Sequence, residues 1–315
     1  MKIQRMAMLI AVITAAFLWT SFLNASESEN CQPDRLIGKC KQLSEQEISS
    51  VKTSNDPNLM MGTGIISLVS ASTSSIGRDL LESASRIESP KGVATITLLD
   101  YYLDPSRSLP LATFKYNIAQ LLQDDKDNAQ PYYLNGLLLG EEQANQKALD
   151  QIRKGNKHKF TGYSKQRFYA IAQVAKKNTC GIRQARELAF WNSNNGAFYL
   201  KLRYLCRDLK KELGQDAQDA CMIMGKNLET SSLSCLESLF SLHIQSESLN
   251  QTTNDDAILA EIKKRRDVAF ACGARTVDIQ ESDMTDEIDK QYYEIYFDKG
   301  EAAAQQFLQT LLIKK

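Results

Sequence analysis

The side chains with the most definite chemistry in this sequence are its seven cysteines. Thiols either bind a metal or, in an exported chain, pair as disulfides. The spacings contain no C-x-x-C, and neither His158 nor His243 lies near a cysteine at ligand spacing, so no metal site is predicted. Cys31 and Cys40 bracket a short loop that could build no core of its own, and we expect them to form a local disulfide.

A second disulfide is expected across a helical hairpin. Cys206 and Cys221 lie eight and seven positions from Gly214, so two antiparallel helices that turn at this glycine would bring both cysteines to the same level. Equal height along the hairpin is necessary for a disulfide but not sufficient, because the two Cα atoms must also lie within about 7 Å of each other. The same reasoning pairs Cys235 with Cys272 and leaves Cys180 as the odd thiol.

Catalytic chemistry is not recognisable in the sequence. An enzyme normally shows a nucleophile with a base, a metal cluster, a phosphate loop or a positioned pair of carboxylates. Gly62-Thr63-Gly64 lacks the later glycine and lysine of a phosphate loop, and His158 and His243 are interpreted as a surface and a partly buried structural histidine. No catalytic residue and no cofactor is therefore predicted. Two carboxylates that meet only after folding have no sequence motif, so a hydrolase that uses such a pair is not excluded.

The elements that would position any site are helices. Phe198, Leu202 and Leu205 recur at intervals of four and three, which places them on one apolar face of a helix. Two β-branched stretches, residues 64–69 and 93–97, have no neighbour with hairpin chemistry, and they are also interpreted as helical. The sequence therefore predicts an all-α fold, either a solenoid of helical hairpins or an irregular bundle.

Three regions are expected along the chain. Residues 1–25 have the layout of a secretory signal peptide, with positive charges at Lys2 and Arg5, an apolar run and small residues at the exit. An uncleaved anchor is the alternative, because roughly 18 apolar residues can span a bilayer. Residues 26–56 are interpreted as a polar N-terminal arm and residues 57–315 as one all-helical domain. We expect an exported protein, periplasmic or secreted.

The charge balance argues against nucleic acid as a partner. The chain contains 38 basic and 38 acidic residues, and loss of a leader with two basic residues would leave a slightly acidic protein. A nucleic-acid-binding surface would need an excess of Lys and Arg. The densest basic run, residues 263–266, spreads around more than one face of a helix and is interpreted as a solvated surface. Beyond the leader, no contact with a membrane is expected.

Residues 129–155, AQPYYLNGLLLGEEQANQKALDQIRKG, have the pattern of two antiparallel helices held close together by small residues. This stretch, roughly a tenth of the chain, resembles one tetratricopeptide-type unit, in which aromatic and aliphatic residues fill the seam between the helices. Asn135 departs from the family pattern, where an apolar residue is usual, and so does Phe160 at the place of a closing proline. The matching residues are Tyr132, Gly136 and Leu139 in the first helix and Ala148, Ile152 and Gly155 in the second.

The resemblance implies a partner-binding surface on the first helix. If the three matching residues of that helix face the second helix, a different stripe turns toward the groove in which such repeats usually hold ligands. Tyr133, Leu137 and Glu141 share that stripe at four-residue spacing and are the candidate partner-binding residues. Packing against a neighbouring helix is the alternative. In a groove, Tyr133→Ala would weaken partner binding and leave thermal stability nearly unchanged.

These observations predict an exported helical scaffold that binds a protein or peptide partner and shows no evident catalysis. A helical hydrolase that acts on an envelope polymer through paired carboxylates is the alternative, and a secreted structural or host-directed factor is a third class. A cleft with two buried, facing acids would favour the hydrolase. A continuous aromatic-lined groove without such acids would favour the scaffold.

Overall fold

The architecture is helical throughout its described part. The computed structural model describes residues 44–68, 74–103, 110–177, 196–249, 255–273 and 285–313. Within these ranges the chain forms fourteen α-helices and no strand, apart from an isolated bridge between Asn128 and Lys159. The predicted all-α fold is confirmed. The predicted leader, Cys31, Cys40 and Cys180 lie outside the described residues.

Where the connecting residues are described, the helices follow one another through short connections. In chain order they are α1 (Glu45–Thr53), α2 (Pro57–Leu68), α3 (Ser74–Ile87), α4 (Val93–Tyr102), α5 (Leu111–Asp124), α6 (Ala129–Glu141), α7 (Asn145–Gly155), α8 (Ser164–Lys177), α9 (Gly196–Leu213), α10 (Gln215–Ser231), α11 (Cys235–Ser248), α12 (Asp256–Gly273), α13 (Asp286–Lys299) and α14 (Glu301–Ile313). Residues 64–68 of the first β-branched stretch lie in α2 and residues 93–97 lie in α4, as predicted. None of these described helices is both long and apolar enough to cross a membrane.

Residues 45–53 of the predicted polar arm form α1. Ser44 and Glu47 make a capping box, in which each side chain accepts a hydrogen bond from the backbone N–H of the other. Ile48 and Val51, one turn apart, are buried and pack this short helix against the rest of the chain. Asp56 then caps α2 by accepting from two backbone N–H groups, as an Asp before a Pro favours.

The hairpin predicted at residues 129–155 is formed by α6 and α7, and small residues let the two helices approach. A Cβ atom built on Gly136 would lie 3.5 Å from the carbonyl oxygen of Ala148. One built on Gly155 would lie 2.5 Å from Cε1 of Tyr133, well inside the about 3.5–4.0 Å at which carbon atoms pack. The ring of Tyr133 therefore lies against α7 only because residue 155 has no side chain.

Tyr133 and Leu137 do not face an open groove. Their side chains are 0% and 5% exposed, because later helices cover the outer face of α6. The Tyr133 hydroxyl donates to Oδ1 of Asn156 and accepts from Nδ2 of Asn227 in α10, both at 3.0 Å. Glu141 is exposed, but its carboxylate is paired with a lysine of α9 at 2.9 Å. The stripe expected to bind a partner is thus corrected to a face packed against other helices.

Two disulfides join the C-terminal helices in pairs. Cys206 of α9 and Cys221 of α10 are bonded across the turn at Gly214, with their Cα atoms 5.9 Å apart. Gly214 has a φ of +62°, a left-handed value that glycine adopts without steric cost. Cys235 of α11 and Cys272 of α12 are bonded with their Cα atoms 6.0 Å apart. Both pairings predicted from level are confirmed.

The disulfide to α12 reinforces a small contact. The main hydrophobic core contains buried residues from α1 to α11, α13 and α14. The helix α12 packs instead on α11 through a second cluster made of Leu242, Leu249, Ile262 and Ala269. Because this cluster is small, the Cys235–Cys272 bond contributes a larger share of what holds α12 in place.

We expect Tyr133→Ala to lower the free energy of unfolding by about 3–5 kcal/mol, as for other large buried aromatic residues. The substitution leaves a cavity and removes the hydroxyl that Asn156 and Asn227 use. Urea denaturation measures the loss. Tyr132→Ala is the matched control, because Tyr132 is only partly buried, and it should cost about 1 kcal/mol. Equal losses in the two variants would contradict the core position of Tyr133.

Candidate functional site

A polar cleft of about 510 Å³ opens where three junctions between helices meet. These are the loop between α7 and α8, the junction of α10 with α11, and the junction of α13 with α14. Hydroxyl groups are frequent in its lining: Thr161, Ser164, Thr230, Ser231 and Ser232. The cleft is therefore suited to a ligand with many hydrogen-bonding groups.

Asn128 fixes the loop that forms one wall of the cleft. Its Oδ1 accepts from the N–H of Thr161 at 2.9 Å, and its Nδ2 donates to the carbonyl of Thr161 at 3.1 Å. The N–H of Ala129 donates to the carbonyl of Lys159 at 3.0 Å. Asn128 also caps α6 by accepting from Gln130. Asn128 thus caps α6 and holds Thr161 of the wall, while the backbone of Ala129 holds Lys159.

A buried ion pair holds the next residue of the same wall. Nη2 of Arg167 lies 2.6 Å from Oδ2 of Asp100, and both side chains are 5% exposed. The same Nη2 donates to the carbonyl of Gly162 at 3.0 Å. Because a buried charge is costly without a partner, this pair links α4, α8 and the cleft loop more tightly than an exposed pair could.

Glu237 forms part of the floor of the cleft. It completes a capping box at the start of α11, where its Oε2 accepts from the N–H of Leu233 at 2.9 Å and of Ser234 at 3.2 Å. Among the residues that the structure describes, none hydrogen-bonds to its other oxygen, Oε1. Burial raises the pKa of the Glu237 carboxyl, and the two backbone hydrogen bonds only partly oppose this.

Tyr199 also belongs to the floor. Its side chain is 3% exposed and packs among aromatic rings, including Phe160 and Phe240. Burial raises the pKa of its phenol well above the usual value, and the nearby Glu237 carboxylate raises it further. No described residue hydrogen-bonds to the Tyr199 hydroxyl. The floor therefore offers two polar atoms without a described partner, Oε1 of Glu237 and the Tyr199 hydroxyl, to a ligand in the cleft.

The rim of the cleft is positively charged. Lys159, Lys165 and Lys299 line it and are exposed. Asp298 is the acidic residue on the rim, and its Oδ1 lies 3.1 Å from Nζ of Lys165. Two ammonium groups on the described rim thus remain without an acidic partner there, so the rim attracts negatively charged groups.

A half-buried carboxylate, that of Glu301, lies close to this site without lining the cleft. Its Oε2 accepts from the N–H of Cys235 at 2.8 Å and its Oε1 from Nε2 of Gln305 at 3.1 Å. Burial raises the pKa of Glu301 as well. The Glu301 oxygens and the sulfurs of Cys235 and Cys272 lie within 4.8 Å of one another. The sulfurs are bonded to each other, which leaves no thiolate to bind a metal ion.

Both histidines lie outside this cleft lining. His158 stacks on the ring of Tyr132 with centroids 5.0 Å apart. Burial and the nearby guanidinium groups of Arg266 and Arg203 lower the pKa of His243 to about 4. His243 is therefore neutral at pH 7, in agreement with the structural role predicted for it.

The residues expected to bind a partner are absent from the described lining of the cleft. Tyr133, Leu137 and Glu141 lie on α6, whereas the cleft is built around Tyr199, Glu237 and the loop after α7. The sequence does contain one signal for Glu237, because Ser234 and Glu237 match the S-x-x-E capping box. That motif indicates the start of a helix. It does not indicate that the junction of α13 and α14 will pack beside it to form the cleft.

No family model, curated protein or solved structure matches this chain. The likeness of residues 129–155 to a tetratricopeptide unit therefore stays a prediction. A function has to be inferred from the geometry of the cleft.

The buried ion pair should be worth far more than the exposed one on the rim. We expect Asp100→Asn to lower the free energy of unfolding by about 3 kcal/mol, because it leaves the guanidinium of Arg167 buried without a counter-charge. Asp298→Asn, which breaks an exposed pair with Lys165, should cost about 1 kcal/mol or less. Chemical denaturation of both variants makes the comparison, and similar losses would contradict it.

Glu237 should make stability fall with rising pH. Because its pKa is raised in the folded state, the folded chain holds this proton more tightly than the unfolded one. The stability that this bound proton contributes is fully present below the unfolded pKa of about 4.3. It is lost as the pH rises through the folded pKa. The stability of Glu237→Gln relative to the native chain should therefore increase as the pH rises from the unfolded value through the folded pKa. A difference that shrinks over this range would show the opposite shift.

Proposed function

We propose that this chain is an exported helical scaffold that binds a protein partner by holding a peptide segment of it in the polar cleft. The observation that carries the proposal is the floor, where Glu237 and Tyr199 are almost fully buried yet keep polar atoms without a described partner. A peptide backbone supplies an N–H and a C=O at every residue. It can therefore match both the acceptor and the hydroxyl of the floor.

Rigid walls support binding without a large rearrangement. Asn128 and Arg167 tie successive residues of the cleft loop to α6 and α4. A preorganised site loses less conformational entropy when a ligand arrives. The helical hairpin of α6 and α7 agrees with a tetratricopeptide-like scaffold, a type of architecture in which helices hold peptides in grooves.

The export part of the proposal relies on the leader-like residues 1–25 and on the disulfides. Cys206–Cys221 and Cys235–Cys272 each join two consecutive helices, and such bonds persist mainly in oxidising compartments. A periplasmic or secreted location fits both features.

Glu237 supports a second candidate, the envelope-polymer hydrolase. A carboxyl group with a raised pKa in a cleft has the properties of a general acid. A second carboxylate would have to act with it, yet Glu301 already accepts from Cys235 and Gln305. Asp298, the other acid in the described lining, is held by Lys165. Binding without turnover is therefore the better supported function.

A random peptide library displayed on phage can test the cleft. We expect the native chain to enrich peptides, and Gln166→Trp to bind the selected peptides at least about tenfold more weakly, the effect of losing about 1.4 kcal/mol. Gln166 is exposed and lines the cleft, so an indole there obstructs the site without disturbing the core. Gln173→Trp is the matched control, because Gln173 is exposed on the same helix but outside the described lining.

Two results would count against this function. If Gln166→Trp and Gln173→Trp bind the selected peptides equally well, the cleft is not the binding site. If the native chain cleaves an envelope polysaccharide and Glu237→Gln abolishes the cleavage, the protein is the hydrolase.

A further inference from the structure

We propose that the cleft selects an extended acidic peptide, with glutamate or aspartate at alternate positions. This inference rests on the proposed function and specifies the chemistry of its ligand. Three observations carry it: the charge of the rim, the polar atoms of the floor, and the burial of three of the four aromatic residues in the described lining.

The rim supplies the charge selection. Lys159 lies on the loop after α7, whereas Lys299 is the last residue of α13. Both are exposed, and neither has an ion pair with a described residue, whereas Lys165 is paired with Asp298. An acidic side chain at each of these two lysines would complete the charge balance of the rim.

The floor supplies the backbone contacts. Oε1 of Glu237 accepts and the Tyr199 hydroxyl can donate, so the first can bond to a peptide N–H and the second to a peptide C=O. In an extended peptide, successive side chains point to opposite faces, and residues i and i+2 are about 6.6 Å apart. The main chain can therefore bond to the floor while alternate acidic side chains reach the lysines of the rim. This arrangement also keeps ligand carboxylates away from Glu237.

The aromatic residues of the described lining favour a peptide over an acidic polysaccharide. Sugar rings bind well when they stack on an exposed aromatic face. Phe160, Tyr199 and Phe297 are 5%, 3% and 7% exposed, and their rings contact other rings of the core. These three close the bottom of the cleft and offer no such face, and Tyr163 alone among the aromatic residues of the described lining is partly exposed.

The test uses a fluorescein-labelled peptide, acetyl-Gly-Glu-Gly-Glu-Gly-amide, and its counterpart with glutamine in place of both glutamates. Fluorescence anisotropy with the full chain should show the glutamate peptide binding about fivefold more tightly, the range for two exposed ion pairs. The preference should decrease at high salt, because exposed charges are screened.

Variants separate the rim from the floor. Lys159→Gln combined with Lys299→Gln should abolish the preference for the glutamate peptide. Lys154→Gln combined with Lys157→Gln should keep it, because these lysines are exposed nearby but outside the described lining. Tyr199→Phe should weaken both peptides by a similar factor and leave their ratio unchanged.

The outcomes distinguish this inference from the function on which it rests. Equal affinity for the two peptides would overturn the acidic selectivity while leaving a peptide-binding cleft. Tight binding of an acidic oligosaccharide such as trigalacturonate, with neither peptide bound, would overturn both and assign the cleft to a polysaccharide. Loss of the preference in the Lys154 and Lys157 control would place the charge selection outside the rim.

Discussion

A guanidinium group buried among helices has to be neutralised, and in this protein Asp100 neutralises Arg167. The pair joins α4 to α8, and a further hydrogen bond from the same nitrogen reaches the carbonyl of Gly162. The wall of the cleft is therefore fixed by charge as well as by packing. Asn128 acts on the adjacent residues of the wall with neutral hydrogen bonds. Together they give a short loop a defined conformation, which explains how three helix junctions can form one site.

The disulfides serve a different part of the structure. Cys206–Cys221 closes a hairpin whose helices also pack through the main core, so the bond and the packing reinforce the same contact. Cys235–Cys272 instead secures α12, which has only a small apolar cluster of its own. It also places a covalent bond at the first residue of α11, two residues before Glu237 of the cleft floor. Apolar packing and a disulfide thus both hold α9 to α10, whereas α12 depends more on its disulfide.

Local patterns predicted more of the fold than of the site. The small residues of α6 and α7 indicated their hairpin, and the spacing of Cys206 and Cys221 about Gly214 indicated a disulfide, since both depend on residues close in sequence. The surroundings of Tyr133 could not be predicted in this way. Its periodicity places it on a helix face, but the partner that covers this face, Asn227, lies 94 residues away. The cleft has the same origin, because its lining comes from segments that are distant in sequence.

The carboxylate of Glu237 belongs at once to the first turn of a helix and to the floor of a cleft. Oε2 accepts from the N–H groups of Leu233 and Ser234 before α11, and no described residue hydrogen-bonds to Oε1. A ligand held by Oε1 would therefore oppose fraying of that first turn, because the carboxylate could not leave the turn without releasing its ligand. Cys235 begins the same turn and is bonded to Cys272 of α12. The same ligand would thus also reduce the motion of α12, a helix that does not line the described part of the cleft.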